Sequence, residues 1–276
     1  MTQFCPTLPP LTTGPGPKRL SGAAFVAICS VLGVVFLDPI HEFYMVEDVL
    51  VWVGDKFKVD ELFTAAEPLG GYVGLFAIVW AICAVAGRQR AYVGSLLVAL
   101  ILSGLIVGVM KEGLGRARPD YSVLVDEERH RAKEREMMAI SDEHPHLGII
   151  RKETGGVENQ GIWLLWNRPI DMIGMNRFAS YPSGHANQVF VMAVFFTAFF
   201  RKKGMVLWYV LAVGCALSRV RYERHFPTDV LLGSAIGYIT AYYVLSWQWP
   251  ISLGAKVFRV PPLDTELIET PDPSPK

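Results

Sequence analysis

Residues 91–119 read AYVGSLLVALILSGLIVGVM followed by KEGLGRARP. The first part, Ala91 to Met110, is an uncharged apolar run of the length a helix needs to cross a bilayer, ~17 to 25 residues. The second part switches abruptly to a polar, cationic stretch that closes on a proline. A long apolar segment with cations at its end reads as a membrane span meeting the headgroup region.

Five further blocks of the same kind lie on either side, at Ser21–Phe36, Gly70–Ala86, His185–Phe200, Met205–Val220 and Val230–Trp249. Several are short enough to be buried helices of a soluble protein, but six in one chain favour a membrane protein. The composition agrees, at 51% hydrophobic with mean hydropathy +0.31. The 26 basic and 26 acidic residues cancel, so nucleic acid is not an expected partner. Of the four cysteines, Cys29, Cys83 and Cys215 sit inside apolar runs, and with Cys5 they form no metal-type spacing, so neither a disulfide framework nor a structural metal is expected. No A-x-A-like cleavage site follows the first run, which therefore reads as a retained span, with a cleaved signal peptide as the alternative.

Lys and Arg in short loops stay on the cytoplasmic side. Lys18 and Arg19, Arg88 and Arg90, and Arg201 to Lys203 all fall on one side of a six-span layout, while the segment from Asp38 to Glu67 is acidic and suits the other. Both termini are then cytoplasmic. The expected fold is an all-α membrane protein, six transmembrane helices in a bundle, with a polar extracytoplasmic insertion between spans three and four. Its parts are a Pro-rich segment at 1–19, a six-span domain at 20–250 with the insertion at 121–181, and a polar tail at 251–276. Within the insertion, the charges from Asp126 to Glu136 suit a solvated helix, Trp163 and Trp166 an interfacial anchor, and His144 and His146 an unliganded surface pair.

Three polar clusters lie at span ends on the non-cytoplasmic side. Lys111 and Arg118, followed by Pro119, are seven apart; continued as helix, that spacing puts both cations on one face, able to clamp an anion. Pro182, Ser183, Gly184 and His185 open the fourth span: Ser183 suits a helix cap, and Gly184 leaves the first-turn amides open to an anion beside His185. Arg219, His225 and Asp229 bracket Pro227, which suits the first turn of the sixth span. From that turn Asp229 reaches back to one nitrogen of His225, fixing the tautomer and leaving the other nitrogen as base or nucleophile.

Taken in order, Lys111-x6-Arg118-Pro119, Pro182-Ser-Gly-His185 and Ser218-Arg219-x5-His225-x3-Asp229 resemble the three-part signature of the type 2 phosphatidic acid phosphatase superfamily, with no signature position missing. The resemblance implies a metal-independent lipid phosphate phosphatase, with no cofactor. By that likeness His225 is the nucleophile, forming a phosphohistidine, Asp229 orients it and His185 is the general acid. Lys111, Arg118, Ser183, Gly184 and Arg219 hold the phosphate oxygens. The substrates it implies are phosphatidic acid, phosphatidylglycerophosphate, undecaprenyl diphosphate or lipid A phosphates. The enzyme would sit in the cell membrane, here a bacterial inner membrane, with its site on the periplasmic face. Transfer of the phosphate to a second lipid, or an anion or lipid carrier site, are the alternatives that the motifs leave open.

Overall fold

A computed structural model describes residues 8–36, 49–50, 67–85, 87–116, 118–119, 139, 142, 150–151, 157–158, 178–200, 204–222 and 224–260. It is mostly helical. The helices are α1 (Pro17–Phe36), α2 (Tyr72–Val85), α3 (Tyr92–Leu114), α4 (Gly184–Phe199), α5 (Met205–Arg221), α6 (Pro227–Val244) and α7 (Trp249–Val257). Short 3-10 turns at Glu67–Gly70 and Gly87–Ala91 lead into α2 and α3. An antiparallel pair, β1 (Ile150–Arg151) with β2 (Val157–Glu158), lies within the insertion, so the chain is not wholly helical.

The helix ends follow local chemistry. Proline opens α1 and α6, where its missing amide costs nothing. Ser183 caps α4, its hydroxyl accepting from the Ala186 amide at 3.4 Å. Gly115 closes α3 in the left-handed region, φ 59°, with its amide bonded to the Lys111 carbonyl at 3.0 Å. This last detail corrects the first cluster: the helix stops at Leu114, so Arg118 reaches the site from beyond a glycine cap and shares no helical face with Lys111.

Helix α6 is the spine of the fold. Ideal Cβ atoms built on Gly233 and Gly237 would stand 2.3 and 2.2 Å from the carbonyl oxygens of Ser183 and Asn187, so only hydrogen at these positions lets α4 lie this close. The spacing of four puts both glycines on one stripe of α6. Across its other side α1 runs antiparallel: the Ser30 hydroxyl donates to the Thr228 carbonyl at 2.8 Å at one end, and the Arg19 guanidinium lies 4.6 Å from the Tyr242 ring centre at the other. Buried Asn187 on α4 donates to Ser103 on α3 at 3.0 Å, tying a third helix into the bundle.

Helix α6 ends at Val244, and after a short break the chain bends by 82° into α7, whose first turn accommodates Pro250 because its missing amide needs no partner there. Residues 251–257, placed by sequence in a polar tail, thus form part of a helix whose Ile251 is fully buried and whose Gly254 meets the Ala91 carbonyl at the end of the 3-10 turn before α3. Before α1, the Thr12 amide and hydroxyl bond the Leu245 and Tyr242 carbonyls at 3.2 and 3.0 Å, and Tyr92 donates to Pro9 at 2.9 Å. The amino-terminal segment is therefore strapped across the ends of α3 and α6.

The surface is apolar where a soluble protein would be polar: Phe76, Trp80 and Val206 are 72%, 74% and 71% exposed. Two helical stretches among the described residues are long and apolar enough to cross a membrane, at 17–34 and 87–114, and the bent α6–α7 pair makes a third if taken as one span. That is fewer than the six expected from hydropathy, because α2, α4 and α5 are 14, 16 and 17 residues long, under the ~20 that a perpendicular crossing takes. Expectations for the stretch from Asp126 to Glu136, His144, His146, Trp163, Trp166, residues 201–203 and the tail from Pro261 fall outside the described residues.

Candidate active site

The chemistry-bearing ends of α3, α4, α5 and α6 come together at one end of the bundle. Lys111 is in the last turn of α3, and a Cβ on Gly184 would stand 3.8 Å from its Nζ. Ser183 and Gly184 open α4, and the Ser183 amide donates to the Asp229 carbonyl at 2.9 Å. Arg219 lies in the last turn of α5; its carbonyl accepts from the His225 amide at 3.1 Å, which folds the 219–225 link back beneath α6. Arg118 and Arg219 lie close enough for their charges to act on Lys111, and all three cations act on His185. All eight residues singled out from the sequence are thus gathered, although Arg118 arrives by a different route.

Asp229 is the fixed point of the site. It is fully buried, in the first turn of α6, and three donors converge on its carboxylate, with the His225 ring facing it as well. The Arg116 guanidinium donates to Oδ1 at 2.6 Å; the Ser180 hydroxyl makes a very short bond to Oδ2, and the Phe226 amide donates to it at 2.9 Å. His225 Nδ1 stands 3.5 Å from the same Oδ2, at the long edge of hydrogen-bonding range, with its ring 2% exposed. With Nδ1 turned to the carboxylate, Nε2 is the nitrogen left for chemistry.

Burial is the main influence on His225: it pushes the imidazole down to about 3, against the upward pull of Asp229 and with further lowering from Lys111 and Arg118. His225 is therefore neutral at physiological pH, as a nucleophile must be. The acid limb of a kcat/KM profile set by this group is expected below pH 4, measured on an activated aryl phosphate; a limb near 6.5 would show that the ring is solvated in the working protein. The same depression makes acid weaken the fold. Between the unfolded value of 6.5 and about 3, the unfolded chain takes up a proton that the folded chain does not.

The second histidine is held by packing. A Cβ on Gly70 would meet His185 Cδ2 and Cys215 Sγ, each at 2.9 Å, so the 3-10 turn at Glu67–Gly70 lies directly on the His185 ring and fixes its place.

Three residues of the site were not singled out from the sequence. Arg116, 1% exposed, bonds Asp229 and also Thr228 Oγ1 at 2.8 Å, and stacks its guanidinium 3.9 Å from the Phe226 ring centre. Ser180 joins it: its amide donates to the Arg116 carbonyl at 3.0 Å while its hydroxyl serves Asp229. Gly70 is the third. In sequence Arg116 is one more cation in the short stretch from Lys111 to Arg118.

A sequence profile of the PAP2 superfamily matches residues 92–252, which include all of these groups except Gly70. The chain is 35% identical over 71 residues to the bacitracin transport permease protein BcrC of Bacillus licheniformis. That match covers 26% of this chain and 34% of the relative's length. No solved structure matches.

Proposed function

The chain belongs to the PAP2 superfamily, and from that footing we propose that it is a membrane phosphatase hydrolysing a phosphomonoester or diphosphate on a lipid. The observation that carries this reading is the buried chain from Arg116 through Asp229 to His225, in a site where the charges of Arg118 and Arg219 both reach Lys111. An anion-binding or carrier site needs the cations alone; it has no use for a carboxylate locked behind an imidazole.

In the proposed reaction His225 Nε2 attacks phosphorus while Asp229 keeps the proton on Nδ1. Lys111, Arg118, Arg219 and the first-turn amides beyond Ser183 neutralise the equatorial oxygens, so that the transition state meets charge already in place. His185 gives a proton to the departing lipid oxygen as the P–O bond breaks. Water then attacks the phosphohistidine, releasing inorganic phosphate and restoring both histidines.

The six-span layout and an extracytoplasmic site belong to the same proposal. Support for the orientation comes from the opposite end of the bundle, where the strap through Pro9 and Thr12 brings the start of α1 beside Tyr92, and where Arg90 donates to the Arg259 carbonyl at 3.3 Å. Lys18, Arg19, Arg88, Arg90 and Arg259 thus collect away from the catalytic end, as retention of cations in the cytoplasm requires.

The test is phosphate release by purified protein from phosphatidic acid, phosphatidylglycerophosphate, undecaprenyl diphosphate and lipid A, with excess chelator present throughout. Release from at least one lipid is expected to survive the chelator, because the cation cluster supplies the charge that a metal brings to other phosphatases. Activity lost in chelator and restored by one added cation would overturn the metal-independent mechanism.

A further inference from the structure

A cavity of about 540 Å³ runs between α1, α5 and α6, outside the catalytic cluster. Its walls are almost wholly apolar, with Val26, Leu217 and Leu231 toward the catalytic end. At its other end stand Lys18 and Arg19, both exposed, in the first turn of α1. The volume falls in the range of about 300 to 1,000 Å³ typical of ligand pockets.

The two ends of this groove are far apart. Ser30 on α1 meets Thr228 beside the catalytic Asp229, and Arg19 lies eleven residues earlier, at about 1.5 Å per residue roughly 17 Å away along the helix. The cations at the groove mouth therefore take no part in the catalytic cluster. They stand at the end of an apolar helix, at the end of the bundle that also carries Arg90 and Arg259. Arg19 is held in place there by its contact with the Tyr242 ring. Apolar walls closing on two cations match a molecule with a hydrocarbon chain and an anionic head, and the leaflet facing the cytoplasm is the one rich in such lipids.

We propose that this groove is a binding site for an anionic phospholipid of the leaflet opposite the active site, its chain between α1, α5 and α6 and its phosphate on Lys18 and Arg19. The proposal rests on the membrane reading above but not on the reaction. Phosphatidylglycerol, the probe chosen, is a phosphodiester without a terminal phosphate, so its binding reads the same whether or not the protein proves to be a phosphatase.

The experiment is titration of the full chain in detergent with dioleoyl phosphatidylglycerol or dioleoyl phosphatidylcholine, counting bound lipid by native mass spectrometry. One phosphatidylglycerol is expected to be retained at about tenfold lower concentration than phosphatidylcholine. Lys18→Gln with Arg19→Gln should remove that preference, whereas Lys256→Gln with Arg259→Gln, on the same face but outside the groove, should keep it. Gly22→Leu should weaken both lipids about tenfold while the melting temperature stays near the parent's: Gly22 lines the groove, and a Cβ there meets nothing within 4 Å, so the new side chain starts in open space at the groove wall. Equal affinity for the two lipids, a preference that survives in the Lys18→Gln/Arg19→Gln protein, or unchanged binding by Gly22→Leu would each overturn the proposal.

Discussion

Replacing His225 by alanine is expected to reduce phosphate release by about 10⁴-fold or more, the scale on which loss of a nucleophile registers. It should also remove any acid-labile phosphoenzyme trapped from radiolabelled substrate. The fold should tolerate the change well, because the Arg116, Ser180 and Phe226 bonds to Asp229 do not pass through the imidazole. A His225→Ala protein that melts like the parent yet still acquires label would show that another residue attacks phosphorus. Asp229→Asn separates the roles further: phosphate binding should persist while turnover slows, because the amide no longer enforces the Nδ1–H tautomer.

The second large effect falls on stability. Arg116 and Asp229 are 1% and 0% exposed and lie 2.6 Å apart. Removing one partner of such a pair leaves a charge buried with nothing to oppose it, at a cost of about 3–5 kcal/mol. Arg116→Met keeps most of the side-chain volume and deletes the charge together with the Thr228 bond and the Phe226 stacking, so the pair term is read from the double variant with Asp229→Asn. The melting temperature in detergent should fall by about 10 °C, taking roughly 2–4 °C per kcal/mol for a chain of this size. Asp229→Asn in the same protein should then cost far less than it does alone, since no charge remains to be stranded. Additive losses in the double variant would mean that the pair is solvated in the native protein.

Much of the site was legible because the membrane writes its boundaries into composition. Lys111, His185 and Arg219 each mark a place where an apolar run gives way to polar groups, and Ser183 and Pro227 are end signals that act through local backbone chemistry alone. Arg116 was hidden for the opposite reason. Its partner is 113 residues away, and in sequence it is one more cation in a short cationic stretch. Ser180 and Gly70 are silent in the same way, since a hydroxyl or a missing side chain takes its meaning from what is brought against it. The glycines at 233 and 237 passed as small residues in an apolar run, although their spacing was a sign of close helix approach. Helix α7 was missed because residues from 251 on were placed in a polar tail; Pro250, in its first turn, was the local signal that a new helix opens there.

The separation of Arg116 from Asp229 also has a meaning for biosynthesis. A ribosome adding ~5–20 residues per second reaches residue 229 roughly 6 to 23 s after residue 116. Throughout that interval α3 can already occupy the bilayer while the guanidinium that will be sealed inside the finished protein has no carboxylate to meet. Its position just past the Gly115 cap, beyond the apolar run, lets it wait in hydrated headgroups instead of hydrocarbon. Closure of this end of the bundle is thereby deferred until the last long helix has emerged, so a nascent chain stalled before α6 carries the cations of the site but lacks the Asp229 carboxylate that faces His225 and lets Arg116 leave water.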